Sequence, residues 1–324
     1  MIDSQNRHID YMRISITDRC NLRCVYCMPE EGIDCLKHEE ILSFEEIYRI
    51  VKAASTLGVK KIKLTGGEPL VRRNMVELVR LLKEKAKMEQ VTLTTNGVLL
   101  PVMAHSLKEA GITAINISLD TLDEEQFTAI TRRNRLKDVL DGMQACIQEG
   151  IPVKINCVPV REFNDDQLMD IARLAKDYPV SVRFIEMMPI GYGKEHAPIS
   201  NDEILERLEQ TFGKATKSSK VYGNGPAVYY EFPNFKKGIG FISAISHEFC
   251  STCNRVRLTS DGILKLCLHH KHGINLKEML RNGIDDKQLV CELENAIYGK
   301  PVSHQFHQEE IDEEETRAMV QIGG

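Results

Sequence analysis

Residues 11–27 read YMRISITDRCNLRCVYC. The opening stretch, Tyr11–Ile16, has the period of a strand: Arg13, Ser15 and Thr17 fall on one face, Ile14 and Ile16 on the other. It runs directly into Cys20, Cys24 and Cys27. Three thiolates in one tight loop can hold three corners of a 4Fe–4S cube and leave the fourth iron without a protein ligand. An open coordination position lets a metal centre bind substrate. Zinc is the alternative, but structural zinc sites want four ligands, and no nearby histidine completes this set.

The same alternation recurs along the chain. Strands are expected at Lys60–Leu64, Val91–Thr95, Ala114–Leu119, Val153–Val158 and Ser181–Glu186. Helical periodicity falls between them at Phe44–Leu57, Met75–Lys87, Val102–Ala110, Leu136–Glu149 and Asp166–Lys176. Repeated β-then-α units predict an α/β fold with a parallel sheet, its chemistry at the carboxyl ends of the strands. Buried parallel strands are normally apolar on both faces. Here one face carries Lys61, Lys63 and Thr65, then Thr92, Thr94 and Asn96, then Asn116, Ser118 and Asp120, then Lys154, Asn156 and Arg183. The other carries Ile62, Leu64, Leu93, Ile115, Ile117, Val153 and Ile155. The expected result is a barrel-like sheet with an apolar outer face under helices and a polar lumen. Buried unpaired charge is costly, so a lumen holding Arg13, Lys61, Lys63, Lys154 and Arg183 needs an anion or water.

The remaining residues change character from about Ser200, with a helix at Asn201–Thr211, a Gly/Asn/Pro stretch at Tyr222–Ala227 and a second cysteine group. We divide the chain into 1–199 and 200–324, the latter a smaller α+β domain closing the mouth. The 324 residues carry a net charge of −5, which does not suggest a nucleic-acid binder. No apolar run is long enough to span a membrane, and Met1–Asp10 lacks the apolar core of a signal peptide. The expected compartment is the cytoplasm, where clustered cysteines read as metal ligands rather than disulfides. The scattered Cys35, Cys146, Cys157 and Cys291 are expected at ordinary apolar positions.

Leu64-Thr-Gly-Gly-Glu-Pro69 follows the second strand. Its paired Gly66 and Gly67 allow close backbone approach to a ligand, and Glu68 can accept from an ammonium. Further on, Cys250 and Cys253 are joined by Cys267, again three candidate ligands. Zinc, with His247, His269 or His270 as a fourth ligand, is the alternative. Between the cysteines, Arg255 and Arg257 share one face of an extended segment, and arginine's forked donors suit phosphate. The chain ends RAMVQIGG, after an acidic run at residues 309–315. A frayed end is the usual fate of such residues, yet the last eight are mostly apolar and the terminal glycines could enter a narrow space.

The Cys20–Cys27 motif resembles that of the radical S-adenosylmethionine (SAM) superfamily. The resemblance implies an incomplete (β/α)6 barrel and two 4Fe–4S clusters. SAM would sit on the open iron, near Tyr26, Gly66, Gly67, Glu68, Ser118 and Met188, and be cleaved to methionine and a deoxyadenosyl radical. The run Cys250-Ser-Thr-Cys253-Asn-Arg-Val-Arg257, with Cys267 downstream and a terminal Gly323-Gly324, resembles the GTP 3′,8-cyclase family over essentially the whole chain. That resemblance implies GTP as substrate, its guanine on the second cluster and its triphosphate among Arg13, Lys61, Lys63, Thr94, Lys154, Arg183, Arg255 and Arg257. Lys63 stands where the family often has arginine. The implied product is (8S)-3′,8-cyclo-7,8-dihydroguanosine 5′-triphosphate, on the route to the molybdenum cofactor. Arg13, Arg255, Arg257, Gly323 and Gly324 would be catalytic. Implied partners are an external electron donor, a cyclic pyranopterin monophosphate synthase that takes the product, and a second copy of the chain in a homodimer. A peptide-modifying radical SAM enzyme with an auxiliary electron-transfer cluster is the alternative function. A two-cluster electron carrier is disfavoured by three cysteines at each site.

Overall fold

A computed structural model describes residues 1–220, 222–304, 306, 315 and 317–323. Gly324 lies outside the described residues, as does most of the acidic run before the tail. Six strands alternate with helices: β1 (Tyr11–Ser15), β2 (Lys61–Thr65), β3 (Gln90–Thr95), β4 (Ala114–Ser118), β5 (Val153–Cys157) and β6 (Ser181–Ile185). Each lies within one or two residues of its expected bounds. They pair in parallel in sequence order. Their outer face is dry: Ile14, Ile62, Leu64, Leu93, Ile115, Ile117 and Ile155 are all 0 % exposed.

The helices that cover this face are α1 (Phe44–Thr56), α2 (Met75–Glu84), α3 (Leu100–Glu109), α4 (Glu124–Thr131), α5 (Leu136–Gln148) and α6 (Leu168–Asp177). Local chemistry starts them where they start. Ser43 caps α1 by accepting from the Glu46 amide, while the Glu46 carboxylate returns to the Ser43 amide. Within α1, Ile47, Ile50, Val51 and Ala54 form a buried stripe at helical spacing. Cys146 and Cys157 occupy the core as expected, but Cys35 and Cys291 are exposed. Cys35 lies in a loop, and Cys291 lies off the buried Leu289–Leu293–Ile297 stripe of its helix.

From α7 (Asn201–Phe212) onward the chain returns to the same sheet. It adds β7 (Thr216–Lys217), β8 (Val228–Glu231), β9 (Ile239–Ile242), β10 (Arg255–Leu258), β11 (Ile263–Lys265) and β12 (Gly273–Asn275), then α8 (Leu276–Arg281), α9 (Asp286–Tyr298) and the short α10 (Met319–Ile322). The strand order is β12-β11-β10-β1-β2-β3-β4-β5-β6-β9-β8-β7. Thus β10 pairs in parallel with β1 and β9 with β6, and antiparallel strands follow outside each. Both edges of the six-stranded set are closed by later chain, and the pairing of Arg257 with Arg13 sets two arginines side by side. No helix among the described residues is long and apolar enough to cross a membrane.

Candidate active site

The first cysteine loop leaves β1 at the carboxyl end of the sheet. Cys27 and Met28 donate their amides to the Cys24 carbonyl at 2.9 and 3.1 Å. Arg132, at the end of α4, clamps the loop by donating to the Arg23 and Met28 carbonyls, each at 3.0 Å. The Leu22 amide donates to Cys20 Sγ at 3.4 Å. Burial pushes the Cys20 thiol up to about 11 and Cys27 to about 12, and raises Cys24 well above the usual thiol range. Such thiols ionise only against a cation, which a metal centre supplies. A tetrahedral zinc would draw its sulfurs to about 3.8 Å from one another. Among the described residues the only metal-ligand set within 4.8 Å is Glu248, Cys250 and His304. Neither cysteine trio, nor any of His247, His269 and His270, converges in that way. The donor chemistry of both trios, three thiols each, fits an iron–sulfur cluster with one iron left open.

The Gly66-Gly67 turn packs on the cysteine loop itself. A Cβ on Gly66 would lie 2.4 Å from the Thr17 carbonyl oxygen, and one on Gly67 2.4 Å from that of Arg19. Two hydrogen bonds of 2.7 Å join these segments, Gly67 to Thr17 and Glu68 to Arg19. The glycines therefore serve a close approach, and here their partner is protein backbone. Glu68, 1 % exposed, accepts from the Leu70 amide at 2.9 Å, the Thr95 hydroxyl at 2.7 Å and the Asn96 amide at 2.6 Å. Burial raises its pKa to about 7 against those donors. A carboxylate has about four lone-pair sites, so three donors leave one for an ammonium. Tyr26 donates to Asp120 at 2.5 Å, and Asp120 also accepts from the Val158 amide at 2.8 Å. Burial raises Asp120 to about 6. Asp120 was legible only as a polar lumen position, because a contact across 94 residues leaves no local signal. Ser118 is exposed at the end of β4, and Met188 is half-buried after β6.

The lumen gathers cations from five strands. In one register row stand Arg257, Arg13, Lys63 and Thr92, on β10, β1, β2 and β3. Lys154 and Arg183 face them from β5 and β6. Lys63 is lowered well below the usual lysine range by burial and then by repulsion from Arg183, Arg13 and Lys154, which places all four around one space. Burial, then Arg13 and Arg255, likewise lowers Arg257. Lys154 is pushed down to about 8 by burial and Arg183. Buried atoms without a hydrogen-bond partner include Arg183 Nε, Arg255 Nε and Thr65 Oγ1. Lys61 differs: its amine is 2.6 Å from Asp10, which takes up its charge. Thr94 accepts from Asn116 at 3.5 Å.

The second trio brackets β10 and β11. At Cys253, burial opposes the thiolate, but Lys300 and Arg255 prevail and lower its pKa. Burial raises Cys250, against a hydrogen bond from the His304 amide. Arg255 lies over the Phe249 ring at 4.9 Å. The tail reaches the centre of this arrangement. Val320 donates its amide to Cys27, and the Gly323 carbonyl accepts from Arg257 at 2.9 Å. Gly323 has φ +78°, and a Cβ there would lie 2.7 Å from Ser15 Cβ and 2.9 Å from Thr65 Oγ1, so only glycine fits.

A parallel α/β sheet with an open three-cysteine loop at its carboxyl edge defines a radical SAM enzyme. The radical SAM superfamily model matches residues 14–175, and the Molybdenum Cofactor Synthesis C model matches residues 180–306. The chain belongs to the GTP 3′,8-cyclase family: it is 44 % identical over 324 residues to that enzyme of Clostridium perfringens strain 13 and 49 % over 328 residues to that of Desulforamulus reducens, with all of each chain covered. Among solved structures, Streptococcus suis SuiB bound to S-adenosylmethionine superposes with a TM-score of 0.64 at 16 % identity, over 90 % of this chain and 67 % of that one. At that identity the likeness concerns the fold.

Proposed function

We propose that this chain converts GTP to 3′,8-cyclo-7,8-dihydro-GTP, with the nucleotide laid along the lumen between the two cysteine trios. The observation that carries this reading is the register row of Arg257, Arg13 and Lys63 on neighbouring strands, with the charges of Arg183, Arg13 and Lys154 bearing on buried Lys63 and that of Arg13 on buried Arg257. A triphosphate relieves that repulsion through charge-assisted bonds. Cys20, Cys24 and Cys27 would hold one 4Fe–4S cluster, and Cys250, Cys253 and Cys267 the other. When bound, the first cluster with SAM would supply radical chemistry for hydrogen abstraction from the ribose, and the second a Lewis-acidic iron for the base. Tyr26, Gly66, Gly67, Glu68, Ser118 and Met188 surround the SAM position, with Glu68 offering its remaining lone pair to the ammonium. The lumen cations fix the phosphates, and Arg255 and Arg257 lie between phosphate and base. Held at both ends, the ribose can present C3′ to C8, and such placement supplies much of the rate. Lys61 acts at one remove, since Asp10 shares its charge. Gly323, against Arg257, Ser15 and Thr65, closes the lumen on the side of the first cluster.

Residues 1–199 thus contribute the SAM half and residues 200–324 the guanine half. We further propose an external electron donor, product transfer to a cyclic pyranopterin monophosphate synthase, a homodimer and a cytoplasmic setting. GTP loses one hydrogen atom, forms the C3′–C8 bond and regains an electron and a proton, so the product is an isomer of GTP. Anaerobic reconstitution with SAM, GTP and a reductant should yield methionine, 5′-deoxyadenosine and an isomeric nucleotide with altered fragmentation. Deoxyadenosine formed with GTP unchanged would overturn the reading.

A further inference from the structure

The tail does not hang on Gly323 alone. Lys265, on β11, is 0 % exposed, and its amine donates to the carboxylate of Glu315, which is 1 % exposed. The same amine lies 3.4 Å from the Leu268 carbonyl. Glu315 also accepts from the Arg317 amide at 3.0 Å and from the Arg317 guanidinium at two atoms, each at 3.1 Å. The Glu315 amide donates to the His269 carbonyl at 2.9 Å. Arg317 reaches Asp261 at 3.5 Å. Lys265 pairs in register with Arg257, so the two tail contacts sit on neighbouring strands. One grips Glu315 and the other grips the Gly323 carbonyl, eight residues further on.

We propose that Glu315 is a positioning residue: its carboxylate, bridging Lys265 and Arg317, clasps the tail so that α10 meets Cys27 and the Gly323 carbonyl meets Arg257. Removing one partner of a buried ion pair strands the other charge, and the cost is large. In a rigid core that cost appears as unfolding. Here the tail can leave and water can reach Lys265, so it appears as undocking. The catalytic consequence rests on the lumen reading, but the docking does not.

The test uses the full-length, cluster-loaded protein. Trypsin cleavage after Arg317 releases Ala318–Gly324, a loss that mass spectrometry reads directly. Glu315→Gln and Lys265→Met should each be cut about tenfold faster or more, given the cost of a broken buried pair. Melting temperature and iron content should stay at wild-type values. Glu315→Asp, which keeps the charge, should recover part of the protection. In turnover, Glu315→Gln should lower kcat while deoxyadenosine formation persists, and a peptide of residues 317–324 added in trans should restore product. Unchanged protection in both Glu315→Gln and Lys265→Met overturns the proposal. So does loss of iron or early melting in both, which would make the pair an ordinary core contact.

Discussion

Lys154→Met should make the nucleotide-free protein more stable while weakening its grip on GTP. Burial and Arg183 bring the Lys154 pKa from 10.5 down to about 8. At about 1.36 kcal/mol per unit, that is roughly 3.4 kcal/mol against the charged form. Residual solvent screening discounts it to about 1–2 kcal/mol. Between pH 8 and 10.5 the unfolded chain binds more protons at this site than the folded one. Stability therefore rises with pH through that window, and the penalty is fully present below it. Methionine keeps the stem and removes the charge, so the variant should gain about 1–2 kcal/mol near neutral pH and lose this part of the pH-linked rise. With a triphosphate bound, the sign reverses, because loss of a buried charged contact typically costs about 2–5 kcal/mol of affinity. Denaturation without nucleotide across this pH range reads the first effect. Anaerobic equilibrium binding of GTP and guanosine reads the second. A nucleotide-free variant less stable than wild type, or guanosine affinity falling as far as GTP affinity, would refute the account of the lumen.

Gly67→Ala should dislodge the cysteine loop, because its Cβ would lie 2.4 Å from a backbone oxygen that cannot yield cheaply; iron bound at Cys20–Cys27 is the readout, and full retention would contradict it. Glu68→Gln puts an amide donor against donors already in place, costing about 1–3 kcal/mol locally, so hydrogen exchange at the Asn96 amide should quicken. Cys24→Ala should abolish SAM cleavage and Cys253→Ala should disrupt guanine placement while sparing the first site, each variant retaining about half the iron of two like clusters. Normal cyclisation by Cys253→Ala would sink the two-site assignment.

Much of this was legible where a local period or spacing carried it. Strands β1 to β6 announce themselves because one face must be dry, and their alternate residues Lys63, Thr92, Asn116 and Arg183 are indeed buried polar groups. The cysteine trios are fixed by spacing. What stayed hidden is long-range pairing. Nothing local in Arg255–Leu258 says that it lies beside Tyr11–Ser15, so the row of Arg257, Arg13 and Lys63 needed the fold. The acidic run reads as a solvated stretch, yet Glu315 is buried by a partner 50 residues away. Lys61 looks like its neighbour Lys63 until Asp10, just before β1, is seen to share its charge.

The closure of both sheet edges bears on how the chain is made. Until residues 239–242 and 255–258 have left the ribosome, β6 and β1 present open rows of amides and carbonyls. Such edges invite pairing with other chains. A fragment ending at residue 199 would keep its barrel strands yet expose both edges permanently, so it should aggregate where the complete chain does not. The segments that bring Arg255 and Arg257 to the lumen are thus also those that keep the half-made barrel from finding the wrong partner.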